Sequence, residues 1–371
     1  MSGKQTPLSF APNRSPSATS GGSLVVGSAA PGSTPGAGLS TVRYDGTGGM
    51  SLVRTLSVDH ASYVAVDPGR AVLHAVVEQE AGHVLSFGVD SGTMTPAPRA
   101  AAASGGAGPC HLAVHPSGSH LFVAHYGDGV LSVLPLGADG VVGTGEPLQT
   151  IRHSGRERDG ELLTSPHAHM AAPSPDGRFV LCTDLGTDRI HVYAFTGGTG
   201  RLRAHQTVQL PGGRGPRHLV FHPSARYVHV LNELSSTLTV CTWDALSGRL
   251  EPTGELETRR DPGAPNTNYA AAVRLSADGR FLYTTNRGDD AIAVHVVRDD
   301  GASVELLTTV ACGGSWPRDI ALTPDGRLLF CANQGSDSLT AFHLDPLSGA
   351  LTQAGEPLAI TQPTSVLPIR P

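Results

Sequence analysis

Residues 217–233, RHLVFHPSARYVHVLNE, contain two short apolar runs on either side of His222-Pro223-Ser224-Ala225-Arg226. Proline and small polar residues favour a turn, and alternating or continuous apolar runs of this length favour strands. The same pattern recurs without a gap at 62–78 (SYVAVDPGRAVLHAVVE), 110–126 (CHLAVHPSGSHLFVAHY), 169–185 (HMAAPSPDGRFVLCTDL), 271–287 (AAVRLSADGRFLYTTNR) and 318–334 (RDIALTPDGRLLFCANQ). Successive starts lie 48, 59, 48, 54 and 47 residues apart. Spacing of this order marks a repeat architecture, in which each unit buries its apolar face against its neighbours.

After each pair comes a third alternating run, such as VLSVLPL, RIHVYAF, TLTVCTW, AIAVHVV or SLTAFHL, and then a Gly-containing turn and a weaker fourth run. Four antiparallel strands per unit make a propeller blade. Near the C-terminus, Gln362-Pro363-Thr364-Ser365-Val366-Leu367 begins one more repeat that lacks its second strand, and Leu24-Val25-Val26-Gly27-Ser28 can supply the missing part. The expectation is an all-β, seven-bladed β-propeller of four-stranded antiparallel blades, closed by N- and C-terminal strands sharing a blade. An open sandwich or a pair of barrels needs no in-register repeat, and no helical apolar pattern supports an α/β layout. Residues 1–22, rich in Ser, Pro and Gly, read as a disordered tail before a propeller domain over 23–371.

Within each unit the two aligned strands are antiparallel, so the first residue of one and the last of the other meet at one end. The inner strand of a blade lies nearest the axis, which gathers these positions around one mouth of the channel. The strand starts are Ser62, Cys110, His169, Arg217, Ala271 and Arg318, and the ends are Glu78, Tyr126, Leu185, Glu233, Arg287 and Gln334. Three arginines, two carboxylates, a histidine and a tyrosine thus converge. Guanidinium forks bind phosphate or carboxylate, while a carboxylate or imidazole can move a proton. The Asp residues of the turns at the opposite end, Asp176 and Asp325, read as turn formers.

Bulk properties narrow the partners. A formal net charge of -6 and the lack of any Lys/Arg run exclude a nucleic-acid footprint or a membrane-surface helix. Lys4 is the only lysine and lies in the tail, which removes lysine-nucleophile chemistry. Five scattered cysteines without a close pair suggest buried thiols in a reducing compartment. With no signal-peptide pattern and no membrane-length apolar run, the expectation is a soluble cytoplasmic protein. Protein partners are left unassigned.

The stretches Gly215-Pro216-Arg217-His218, Leu231-Asn232-Glu233-Leu234-Ser235-Ser236, Ser165-Pro166-His167-Ala168-His169, Asp184-Leu185-Gly186-Thr187-Asp188-Arg189, Asn286-Arg287-Gly288, Pro317-Arg318 and Ala332-Asn333-Gln334 complete the reading. With them the sequence resembles, over about 24–370, the lactonase family of seven-bladed propellers. That family includes bacterial 6-phosphogluconolactonases and fungal muconate-lactonising enzymes. The resemblance implies a site of one His, two Arg and one Glu, matched here by His169, Arg217, Glu233 and Arg287, the positions the repeat register selects.

It also implies hydrolysis of a small anionic lactone, 6-phospho-D-glucono-1,5-lactone to 6-phosphogluconate in the pentose phosphate pathway, with neither metal nor organic cofactor. Glu78, Tyr126, His167, Arg318 and Gln334 are then candidate substrate-binding residues. A carboxylated lactone, or a non-catalytic ligand- or peptide-binding role, stays open. So do several residue roles: His169 or Glu233 as the base, Glu233 as a partner fixing Arg217, and Arg318 as a blade-to-blade contact. His167 and His169, one residue apart, suit metal ligands only with an acidic cluster that the sequence lacks. Ala272 stands where relatives often carry an acid.

Overall fold

In the computed structural model, residues 21–369 are described apart from 68, 91 and 156–164. Most of the expected tail lies outside the described residues, and Gly22 already opens the first strand, Gly22–Ser28. Seven four-stranded antiparallel sheets follow one another around a ring. Six are consecutive in sequence, with inner strands Tyr63–Asp67, Pro109–Val114, Ala168–Pro173, Pro216–Phe221, Tyr269–Leu275 and Pro317–Leu322. The seventh takes Pro363–Ile369 as its inner strand and three N-terminal strands, Gly22–Ser28, Leu39–Tyr44 and Met50–Leu56, as the rest. Ring closure is therefore as the sequence indicated. No helix among the described residues is long and apolar enough to cross a membrane.

The core is a series of apolar layers between adjacent sheets. One layer packs Leu24, Val26 and Val366 of the shared blade against Phe330 and Ala332 of the preceding one. Another packs Leu181 and Val192 against Leu219, Val230 and Trp243. Because both faces of each middle strand are covered, strands such as Phe281–Arg287 are buried along their whole length. All five cysteines are buried and unpaired. At the outer turns, the Asp176 and Asp325 carboxylates accept the N–H groups of Arg178 and Arg327, which is turn chemistry.

A feature hidden in the gap-free repeat alignment sets the geometry of the channel. The inner-strand register skips Cys110, His169, Arg217 and Arg318, each between two paired neighbours, and skips Ala271 and Ala272 together. These are β-bulges, which remove a residue from the ladder and re-aim its side chain. All repeats concerned share the bulge, so no gap betrays it. Thr183 Oγ1 accepts the Met170 N–H just past one bulge (3.1 Å) and donates to the Arg217 carbonyl of the next (2.8 Å), tying neighbouring bulges together.

Candidate active site

The bulged residues and the ends of the second strands meet at one mouth of the channel. In five repeats the backbone N–H of the strand-end residue bonds a carbonyl two residues before the strand-start residue: Glu78 to His60, Tyr126 to Gly108, Leu185 to His167, Glu233 to Gly215 and Gln334 to Trp316. In the sixth, Arg287 pairs with Tyr269 in the ladder. This common register places Glu78, Cys110, Tyr126, His169, Arg217, Glu233, Arg287 and Arg318 around a cavity of about 180 Å³.

Glu233 holds the centre. Its Oε2 accepts from Arg217 Nε of its own blade (2.7 Å) and pairs with Arg287 Nη2 of the next (2.9 Å). Burial pushes the Glu233 carboxyl upward, but Arg287 and Arg217 outweigh it and hold the group below the usual carboxylate range. Arg217 is buried and also donates Nη1 to the Ala271 carbonyl (2.7 Å) and to His218 Nε2 (3.1 Å). Arg287 donates to the carbonyls of Tyr269 and Ala270 (both 3.3 Å), and its guanidinium lies 5.8 Å from the Tyr269 ring and 5.5 Å from the Trp316 ring. Burial pulls Arg287 down to about 10, so it stays charged near neutrality.

His169 is buried, and its Nδ1 has no hydrogen-bond partner. Burial, reinforced by Arg217 and Arg318, holds its imidazole well below the ordinary histidine value. It is neutral at pH 7. Arg318 is only partly buried and reaches Gln334 Oε1 at 3.4 Å within its own blade. Among the described residues it has no carboxylate partner, so it stands at the mouth as a cation without an ion pair to a neighbouring blade. Three guanidiniums against the carboxylates of Glu233 and Glu78 leave one formal positive charge, a setting for a monoanionic or dianionic ligand.

Two expected site residues stand back from the cavity wall. His167 stacks on the Tyr126 ring at 4.4 Å and donates Nδ1–H to the Tyr126 carbonyl (2.6 Å), which positions Tyr126. Gln334 meets the cavity through Arg318. Cys110 does line the cavity. Its place in the repeat register marked the position, but its apolar neighbours led to a purely structural reading. Burial raises its thiol above the ordinary value, and Sγ donates to the His169 carbonyl (3.4 Å), so it acts as a neutral wall. Tyr269 gave no sequence signal beyond standing two residues before Ala271.

Below the cavity the channel is filled. Tyr63 and His111 lie 4.4 Å apart, His111 and His218 5.7 Å, and His218 and His169 5.3 Å. The pair of partly exposed Arg274 with buried Asp319 (2.8 Å) completes this plug, and Asp319 also accepts the Val366 N–H (3.0 Å) of the closing strand. A larger cavity of about 790 Å³ opens at the opposite mouth. Its inner-strand lining, with Val64, Leu112, Ala171 and Leu367, is mostly apolar, and its charged residues are the Asp67–Arg70 pair (2.7 Å).

The sequence model of the family described as "Lactonase, 7-bladed beta-propeller" matches residues 23–368. The chain belongs to that lactonase family. A 6-phosphogluconolactonase of Bacillus subtilis is 28% identical over 308 residues, covering 82% of this chain and 86% of its own. One from Pectobacterium carotovorum is 33% identical over 263 residues, covering 70% and 74%. The structure of a Pseudomonas aeruginosa periplasmic gluconolactonase superposes with a TM-score of 0.87 at 28% identity, covering 95% of this chain and 99% of that one. Family membership supports a lactone hydrolase.

Proposed function

We propose that the protein hydrolyses a sugar lactone carrying a negative charge, with 6-phospho-D-glucono-1,5-lactone as substrate and 6-phosphogluconate as product in the pentose phosphate pathway. The observation that carries this reading is the combination at one mouth of a locked Arg217–Glu233–Arg287 cluster, a neutral His169 and an uncommitted Arg318. Arg318 takes the phosphate. Arg217 and Arg287, already oriented, stabilise the oxyanion formed when water adds to the lactone carbonyl. His169 accepts a proton from that water and returns it to the ring oxygen as the carbon–oxygen ring bond breaks. Glu233 fixes the arginines, because a carboxylate shared by two guanidiniums is a poor proton acceptor. The burial that keeps His169 neutral also weakens it as a base, so charge stabilisation carries the larger share. Five unpaired cysteines support a cytoplasmic setting for this chain.

The experiment is hydrolysis of freshly made 6-phosphogluconolactone and of unphosphorylated gluconolactone, with spontaneous opening subtracted. Glu233→Gln, which keeps the shape but removes the charge, is expected to lower kcat by about 10²-fold. Arg318→Ala leaves no buried charge behind and is expected to raise KM about tenfold or more for the phosphorylated lactone alone. Equal loss on both lactones would remove Arg318 as the phosphate anchor. No hydrolysis above background by folded wild-type protein would reject this substrate in favour of carboxylated lactones.

A further inference from the structure

Behind the Tyr126 wall, outside the cavity, three side chains from two blades converge. His153 follows the strand Gln149–Arg152, and its backbone N–H is fixed to the Gly129 carbonyl (2.9 Å). Asp184 and His191 lie on neighbouring strands of the next blade, Phe179–Asp184 and Arg189–Thr196. Among the described residues these three form a group whose ligand-capable atoms lie within 4.8 Å of one another.

The hydrogen bonds define which atoms are spare. His153 Nδ1 bonds Asp184 Oδ2 at 2.7 Å, and His191 Nδ1 lies 3.2 Å from Thr207 Oγ1. A carboxylate can only accept, so His153 Nδ1 carries a proton, and in the neutral imidazole Nε2 is the acceptor left over. Nε2 of His153 and Nε2 of His191 are both buried and have no partner, although the rings are only 4.1 Å apart. The His153 side chain is 1% exposed and Asp184 0%, so water does not satisfy them from the surface. Two buried ring nitrogens without a hydrogen-bond partner are a cost in the protein alone. A cation removes it.

We propose that His153 and His191 bind one divalent transition-metal ion of the Zn²⁺ class through their Nε2 atoms, with Asp184 orienting His153 from behind. Imidazole nitrogens select borderline ions such as Zn²⁺, Ni²⁺ or Cu²⁺ over Ca²⁺ and Mg²⁺, which take oxygen ligands. A carboxylate bonded to the other nitrogen of a ligating histidine is the usual outer-sphere support, and it also offsets part of the ion's charge. Tetrahedral ligands at ~2.0 Å from an ion are about 3.3 Å apart, and the partly exposed His191 ring is the one that turns to close the site. Water admitted past the partly exposed His191 ring completes the coordination of the bound ion. The site is separate from the sugar-binding cavity, yet Asp184 Oδ1 also accepts the His167 N–H (3.0 Å), which links it to the residue supporting Tyr126.

The test is Co²⁺ titration of the full, untagged chain followed by visible absorption, together with Zn²⁺ calorimetry. One equivalent is expected to bind the wild type at micromolar concentration. His191→Gln and His153→Ala should abolish that equivalent, and Asp184→Asn should weaken it about 10–100-fold. His83→Ala, on an exposed histidine, should leave it unchanged. His191 is partly exposed, so His191→Gln decides the matter should either buried variant fail to fold. No stoichiometric binding by the wild type, or full binding by a folded His191→Gln protein, would overturn the proposal.

Discussion

Glu233 and His169 divide the electrostatic work of the mouth, and their environments give that division a pH signature. Glu233 sits below the usual carboxylate range, held there by Arg287 and Arg217. His169 sits well below the usual histidine value through burial and Arg217, and Arg287 titrates only at about 10. With none of the three changing charge near neutrality, kcat/KM is expected to be flat from about pH 6 to 8. Activity is lost on the acid side only when His169 or Glu233 takes up a proton. An inflection near pH 6.5 in the spontaneous-rate-corrected profile would mean that His169 titrates as an ordinary exposed histidine.

These residues were legible because the repeat places equivalent positions at one end of the channel. His169, Arg217, Glu233 and Arg287 were selected by register alone, and all four line the cavity. What the register could not resolve was commitment. Arg217 and Arg318 occupy equivalent positions, yet one is saturated by Glu233, Ala271 and His218 and the other, among the described residues, hydrogen-bonds only Gln334. Part of that difference lies within the repeat, Glu233 against Gln334 at the strand end, and part in the Ala271 carbonyl of the next blade, which a single repeat does not encode.

At the scale of the element, the bulged inner strand and the glycine-bearing corner after the second strand do the positioning. Gly288 follows Arg287 with φ of +108°, and a Cβ there would lie 2.1 Å from the Thr267 carbonyl oxygen. The glycine in Asn286-Arg287-Gly288 is therefore demanded by backbone geometry. Gly288→Ala is expected to cost at least about 2 kcal/mol and to lower activity through displacement of Arg287. Denaturant unfolding and kcat on the same preparation check this, and unchanged values in both would show that the corner relaxes freely. The corner glycine was visible in the sequence; the bulges were not, because an insertion common to the repeats leaves their alignment intact. The His153–Asp184–His191 group was also invisible. Its members come from different blades, and no local spacing announces them.

At the scale of the whole molecule, the ring buries many neutral histidines. Burial pulls His111 and His295 down to about 3, and His74 and His229 to about 4. Their folded values lie below the unfolded value of about 6.5, so below that pH the unfolded chain binds protons that the folded chain refuses. Stability is fully present above about pH 6.5 and falls on acidification until each folded value is reached. Each such histidine contributes a slope of about 1.4 kcal/mol per pH unit. The melting temperature is expected to drop steeply between about pH 6.5 and 5, well before most carboxylates protonate. A constant melting temperature across that interval would show that these imidazoles are charged in the folded protein. The number of blades and the way the ring closes were legible in the sequence, because both follow from counting repeats and finding the incomplete one.

That closure also has a consequence for biosynthesis. Thr364, on the inner strand of the shared blade, donates to the Gly27 carbonyl across a sequence separation of 337 residues. During translation, three strands of this blade emerge from the ribosome before the other six blades and wait for a partner that is made after all of them. At about 5–20 residues per second the wait is tens of seconds. Throughout it, the edge of Gly22–Ser28 is an unsatisfied template for pairing with other nascent chains. The finished ring is sealed, but its assembly is most vulnerable at the place where it finally locks.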